Sequence, residues 1–220
     1  MLKQFFCGLP TNLLACFRGA NLLSHALAIA LTFVLVMTGA DWWFYVHTRY
    51  PLLHPLVYAA GLGGFFVPVL VPVCLYIVGE MRKDARMMVV AGALAQAALI
   101  AYLISIFYKT FTGRIQPDFI YSIGTSDITH EFHFGILHNG IFWGWPSSHA
   151  AVAFALAAAL WVLYERAPIG RYIALLYAIL VAIGAAIGFH WLSDVLAGAI
   201  IGTLAGGVVA KRFLTNNPVV

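Results

Sequence analysis

His190 and Asp194 stand four residues apart in the run His190-Trp191-Leu192-Ser193-Asp194. On a helix that spacing turns both side chains to one side. A carboxylate so placed accepts one imidazole N–H, fixes the tautomer and leaves the other ring nitrogen with a free lone pair. That is the arrangement of an activated histidine nucleophile or base. Taken alone, the pair is better read as a capping aspartate beside an interfacial histidine. His149 follows Pro146-Ser147-Ser148. Serine hydroxyls cap helices, the free N–H groups of a first turn bind phosphate oxygens, and a histidine there can protonate a leaving group. An ordinary Pro-Ser cap has the same wording. Lys109 and Arg114, in YKTFTGRIQP, supply charge for an anionic substrate, against the plainer use of snorkelling to headgroups. Combined, these groups fit phosphoryl transfer, which needs an in-line nucleophile, a proton donor and donors around the equatorial oxygens. His190, His149 and the set Lys109, Arg114, Ser147 and Ser148 fill those roles, with Asp194 as orienter.

The elements that must position them are set by composition. Of 220 residues, 63% are hydrophobic and 9% charged, with a mean hydropathy of +0.93. Soluble domains are about 45–50% apolar and about 25% charged. A globule of 24.0 kDa could not hide this much apolar surface from water. Soluble enzymes, disordered tails and nucleic-acid modules are excluded, and the chain reads as an integral membrane protein. Six stretches, near 22–40, 56–79, 87–108, 148–164, 172–189 and 191–210, approach the ~20 apolar residues a spanning helix needs. Pro68 and Pro72 predict a kink in the second. Nine basic residues (Lys3, Arg18, Arg82, Lys83, Arg86, Arg166, Arg171, Lys211 and Arg212) fall on one side, against Arg49, Lys109 and Arg114 on the other. The positive-inside rule then places both termini in the cytoplasm.

The expected fold is all-α: an integral membrane six-helix transmembrane bundle, both termini cytoplasmic, forming one membrane domain over 1–220. Residues 1–21 read as an amphipathic segment on the inner surface, ahead of an uncleaved first span. Segment 109–147 is expected to lie over the site on the extracytoplasmic side. Asp41-Trp42-Trp43-Phe44-Tyr45 and the pair Trp143, Trp145 look like outer interfacial anchors. Gly198, Gly202 and Gly206, with Gly184 and Gly188, predict close packing of the last hairpin. Cys7, Cys16 and Cys74 suggest neither a disulfide framework nor a zinc site. His130, His133 and His138 lack the His-Glu-x-x-His spacing of zinc hydrolases, so no metal site is assigned. They belong to a segment expected to reach a headgroup through Asp127 or Glu131. His25 and Gln96 read as satisfied buried polar groups; His47 and His54 fall in an outer loop.

On these blocks the sequence resembles the type 2 phosphatidic acid phosphatase family, in the superfamily shared with vanadium haloperoxidases. The family's Lys-x6-Arg-Pro, Pro-Ser-Gly-His and Ser-Arg-x5-His-x3-Asp read here as Lys109-x6-Gln116-Pro117, Pro146-Ser147-Ser148-His149 and His190-x3-Asp194, with Ile183-Gly184 in place of Ser-Arg. The resemblance covers most of 87–210. It implies a mechanism without metal or cofactor. His190 would attack phosphorus to give a phosphohistidine, Asp194 would hold its ring, and His149 would protonate the departing lipid oxygen. Lys109 and the Ser147–His149 turn would bind the phosphoryl oxygens, with Gln116 at the arginine's position and Arg114 assisting.

The implied activity is that of a lipid phosphate phosphatase of the cell (inner) membrane. It would hydrolyse a phosphomonoester or diphosphate on the periplasmic or extracytoplasmic face. Its partners would be membrane lipids and a lipid phosphate, such as a phosphatidate-like lipid, phosphatidylglycerophosphate, a polyprenyl diphosphate or phosphorylated lipid A. The two missing arginines favour a monoanionic diester over a dianionic monoester. They raise the alternative of a phosphotransferase passing a phospho-headgroup to an alcohol, as sphingomyelin and inositol phosphorylceramide synthases do. They also raise that of a catalytically decayed lipid-binding protein, which would have no need to retain His149, His190 and Asp194.

Overall fold

The computed structural model describes residues 2–118, 126–165 and 168–216. Arg166, counted above among the cations of one side, lies outside the described residues, as do the side chains of Lys3 and Cys7. Eight α-helices are present among those described: α1 (Leu2–Cys16), α2 (Leu22–Met37), α3 (Ala40–Thr48), α4 (His54–Arg82), α5 (Ala85–Thr112), α6 (Ser148–Leu163), α7 (Pro168–Gly188) and α8 (Leu192–Asn216). Local chemistry sets their ends. Asp84 caps α5 by accepting from the Met87 N–H at 3.0 Å, and Gly113 closes it at φ 51°, a conformation that costs glycine little. Ser147 caps α6. Pro68 and Pro72 remain within a continuous α4.

Among the described residues five segments are long and apolar enough to cross a membrane: Gly19–Met37, Pro51–Arg82, Ala85–Thr112, Pro168–Gly188 and Leu192–Asn216. The stretch expected as the fourth of six spans is a helix of 16 residues. At about 1.5 Å per residue it covers roughly 24 Å, less than the ~30 Å of a hydrocarbon core. Its surroundings make the shortness tolerable. Ala151, Ala153, Ala155, Ala157 and Ala159 are buried, so most of α6 is packed against α5, α7 and α8.

The glycines act within the chain, but not between the last two helices as expected. A Cβ on Gly202 or Gly206 would come within 2.1 Å of the Ala151 carbonyl oxygen or 2.2 Å of that of Ala155, so this stripe seats α8 on α6. Gly184 and Gly188 seat α7 on α4, against Ala60 and Val57. Residues 2–16 form a helix docked on the bundle: Asn12 donates to Gln96, Gln96 donates to the Phe5 carbonyl at 2.6 Å, and Arg212 donates to Asn12 at 3.1 Å. His25 bonds the Cys16 carbonyl at 3.0 Å and the Tyr108 hydroxyl at 2.9 Å. Both expected buried polar groups are thus satisfied. Cys16 is buried, which pushes its thiol up to about 11, and Cys74 is exposed on α4.

Candidate active site

The site forms where the C-terminal end of α5, the N-terminus of α6 and the α7–α8 turn meet. Lys109 is in the last turn of α5, His149 in the first turn of α6, His190 in the turn before α8, and Asp194 in the first turn of α8. The two histidine rings stand 6.2 Å apart, centroid to centroid, at an interplanar angle of 62°. Phe189 lies against both, 5.0 Å from His149 and 5.4 Å from His190. Space for the His149 ring depends on Gly64 of α4, where a Cβ would come within 2.8 Å of the imidazole Cδ2.

His190 is held through Nδ1. Asp194 Oδ2 stands 3.4 Å from that nitrogen and accepts from the Trp191 N–H at 3.2 Å. Gln116 is closer, 2.8 Å from Nδ1. In the amide orientation that satisfies every partner, Gln116 accepts from Nδ1 of His190 and from the Gly144 N–H (3.1 Å), and donates to the Phe189 carbonyl (2.9 Å). Nδ1 therefore carries the proton, and Nε2 is the unprotonated ring nitrogen. Burial holds this imidazole below the ordinary histidine value, opposed by its hydrogen bond to Asp194.

Behind Asp194 lies a buried ionic cluster. Arg114 is fully buried and forms an ion pair with Asp194, donates to Ser193 Oγ at 2.7 Å, and pairs with Asp41 Oδ2 at 2.8 Å. It also donates to the Thr129 carbonyl at 2.8 Å. Asp41 accepts from the Ser193 N–H at 2.8 Å and from the Ser193 hydroxyl, so it caps α8. The guanidinium lies between Phe132 (4.9 Å) and Trp191 (5.9 Å). Every direction in which it could meet a phosphate is taken.

The expected site residues thus divide. Lys109, Ser148 and His149 line one cavity of about 610 Å³. Lys109 is buried and donates to the Phe142 carbonyl at 2.9 Å. Ser147 is buried, accepts from the Ala150 N–H at 3.4 Å and donates its own N–H to the Asp194 carbonyl at 3.0 Å. It links α6 to α8, whereas Ser148 faces the cavity. Arg114 and Gln116, expected on the phosphate, contact Asp194 and His190 instead.

Asp41 was missed as a site residue because its neighbours read as a membrane-interface cluster. The available signal was the carboxylate itself, expensive at that depth unless paired. Trp145 is likewise no interfacial anchor: it is buried and donates to Thr32 Oγ1 at 2.8 Å. Trp43 and Trp143 are exposed as expected. Asp127 bonds its own turn, to the N–H and hydroxyl of Thr129 at 2.9 and 2.6 Å.

A model of the family described as the PAP2 superfamily matches residues 89–218, a stretch containing every histidine and carboxylate of the site except Asp41. The chain belongs to the PAP2 superfamily. Its helical fold also matches a solved structure described as the first transmembrane PAP2 type phosphatidylglycerolphosphate phosphatase from Bacillus subtilis. The TM-score is 0.53 at 19% identity, over 97% of this chain and 95% of that one. No curated protein matches the chain significantly. With its apolar helices, this PAP2 chain is a multi-pass membrane protein.

Proposed function

We propose that the protein is a lipid phosphate phosphatase of the cell membrane. In this reading His190 Nε2 attacks phosphorus, the P–O bond to the lipid breaks, and His149 gives its proton to the departing oxygen. Water then attacks phosphorus as it gives a proton to His149, and the P–N bond to His190 breaks, releasing phosphate and restoring both histidines. Lys109 and the first turn of α6 at Ser148 hold the phosphoryl oxygens. No step calls for a metal, and phosphate release is expected to persist in a chelator.

The observation that carries this reading is the cavity beside His149. From Lys109 it runs between α4 and α5 past Tyr102 and Leu99 to Ala95, and past Pro68 to Val73. The rise of α5 from Ala95 to Lys109 is about 21 Å, enough for much of one lipid chain, and the walls are apolar. A cation and His149 at one end of an apolar groove, with the His190 ring 6.2 Å from that of His149, suit a phosphate joined to a hydrocarbon. We place the site at the extracytoplasmic face, from the distribution of Lys and Arg. Six crossings remain our reading, with α6 as the short central one. Purified protein in detergent should release inorganic phosphate from phosphatidate or phosphatidylglycerophosphate. Wild-type release by His190→Ala would refute the mechanism.

The charge balance favours one second reading. Arg114 is neutralised by Asp41 and Asp194, leaving Lys109 as the cation facing the cavity. A single cation matches a phosphodiester monoanion better than a monoester dianion, which suits transfer of a phospho-headgroup to an alcohol. Chromatography of lipid products separates the two: phosphate release independent of any acceptor excludes transfer.

A further inference from the structure

At the membrane end opposite the histidines lies a second cavity, of about 730 Å³, which the proposed phosphatase chemistry leaves unused. From Asp194 to Lys211, α8 rises about 26 Å, so the two cavities approach opposite faces of a bilayer. Ala158 and Trp161 of α6, Leu175 of α7 and Gly207 of α8 supply its apolar wall. Gly207 keeps it hollow, since a Cβ there would meet nothing within 4 Å. Lys211 and Arg212 line it too. Arg212 also donates to Asn12 Oδ1 at 3.1 Å, whereas Arg171 lies outside the lining, 4.1 Å over the Trp161 ring and donating to the Glu165 carbonyl at 3.0 Å. Among the described residues neither Lys211 nor Arg212 forms an ion pair, and no carboxylate lines the cavity.

We infer that this cavity binds one anionic glycerophospholipid of the inner leaflet, with an acyl chain along Trp161 and Gly207 and its phosphate against Lys211 and Arg212. Apolar depth alone would accept any lipid chain. The two cations at one end, neither matched by a carboxylate, select the headgroup, because basic residues near a membrane surface attract anionic lipids and basic pockets between helices hold their headgroups. A second copy of the chain suits the place less well, since its facing surface would need carboxylates to match these cations.

The test uses the intact protein in phosphatidylcholine vesicles carrying either brominated phosphatidylglycerol or brominated phosphatidylcholine at equal mole fraction. Trp161 fluorescence is isolated by difference from Trp161→Phe. Phosphatidylglycerol should quench it at much lower mole fraction, with the preference falling about fivefold for each cation removed in Lys211→Gln and Arg212→Gln. Gly207→Leu, which fills the groove without a backbone clash, should reduce quenching by phosphatidylglycerol to the phosphatidylcholine level. If Gly207→Leu fails to fold, the two charge variants still decide. Equal quenching of the wild type by both lipids would overturn the inference. So would protection of Trp161 from both, the result expected of a second copy seated there.

Discussion

The amide of Gln116 meets Nδ1 of His190 at 2.8 Å, nearer than the carboxylate of Asp194 at 3.4 Å. The glutamine thus sets the tautomer of His190, the orienting role that the proposed mechanism requires. Asp194 is drawn away by Arg114 and by the Trp191 N–H. Gln116→Ala should therefore lower kcat by about one to two orders of magnitude, the worth of a hydrogen bond to a group that becomes charged, with KM nearly unchanged. A phosphate ligand would behave differently, raising KM as well. Steady-state kinetics on one lipid phosphate distinguish the two.

Arg114 joins α3 to α8 through Asp41 and Asp194, both fully buried. Removing it strands two carboxylates at once. Arg114→Ala should cost about 3–5 kcal/mol and abolish activity, and Asp41→Asn should cost less because Arg114 keeps Asp194. Arg114→Lys should not rescue, since an ammonium cannot span both carboxylates and the Thr129 carbonyl. Thermal unfolding in detergent measures the order of the three.

Two glycines permit opposite experiments. A Cβ on Gly184 would lie 2.4 Å from Ala60 Cβ and 2.7 Å from the Leu56 carbonyl oxygen. Gly184→Arg therefore cannot place an arginine on the phosphate, and should prevent folding by parting α7 from α4. Gly64→Ala presses on the flexible ring of His149 instead. It should leave the protein folded, cost about 1–3 kcal/mol by overpacking and reduce turnover by displacing the ring proposed to protonate the leaving oxygen. Size-exclusion profiles and kcat report the contrast.

What was legible in the sequence follows from what spacing can carry. Membrane residence and helix positions follow from long apolar runs. The junction of His149, His190, Asp194 and Lys109 follows from three short blocks at helix ends. Spacing carries no information on which partner a polar group chooses. Arg114 and Gln116 lie in the right segment, but the fold turns them to Asp194 and His190, because Asp41, 73 residues earlier in the chain, supplies the carboxylate that holds Arg114 back. The extent of α6 was legible to within one residue but its surroundings were not, because an alanine-rich run reads as apolar whether lipid or protein surrounds it. The glycine stripes promised close helix contacts but could not name α6 and α4 as the receiving helices.

His190 lies in the turn between α7 and α8, and burial holds its imidazole below the ordinary value of 6.5. The neutral ring, protonated on Nδ1, should therefore persist at pH 7 and down through 6.5, with the nucleophile lost only at lower pH. 15N NMR of histidine-labelled protein, assigned with His190→Gln, reads both tautomer and midpoint. A midpoint above 6.5 would mean that Asp194 outweighs desolvation.

The central claim is that phosphorus is bonded to His190 during turnover. Protein mixed with a 32P-labelled lipid phosphate and quenched in alkali within milliseconds should carry acid-labile, alkali-stable label. Peptide mapping should place that label on His190, and the His190→Ala protein should carry none. Turnover without covalent label, or with label at another residue, would contradict the account.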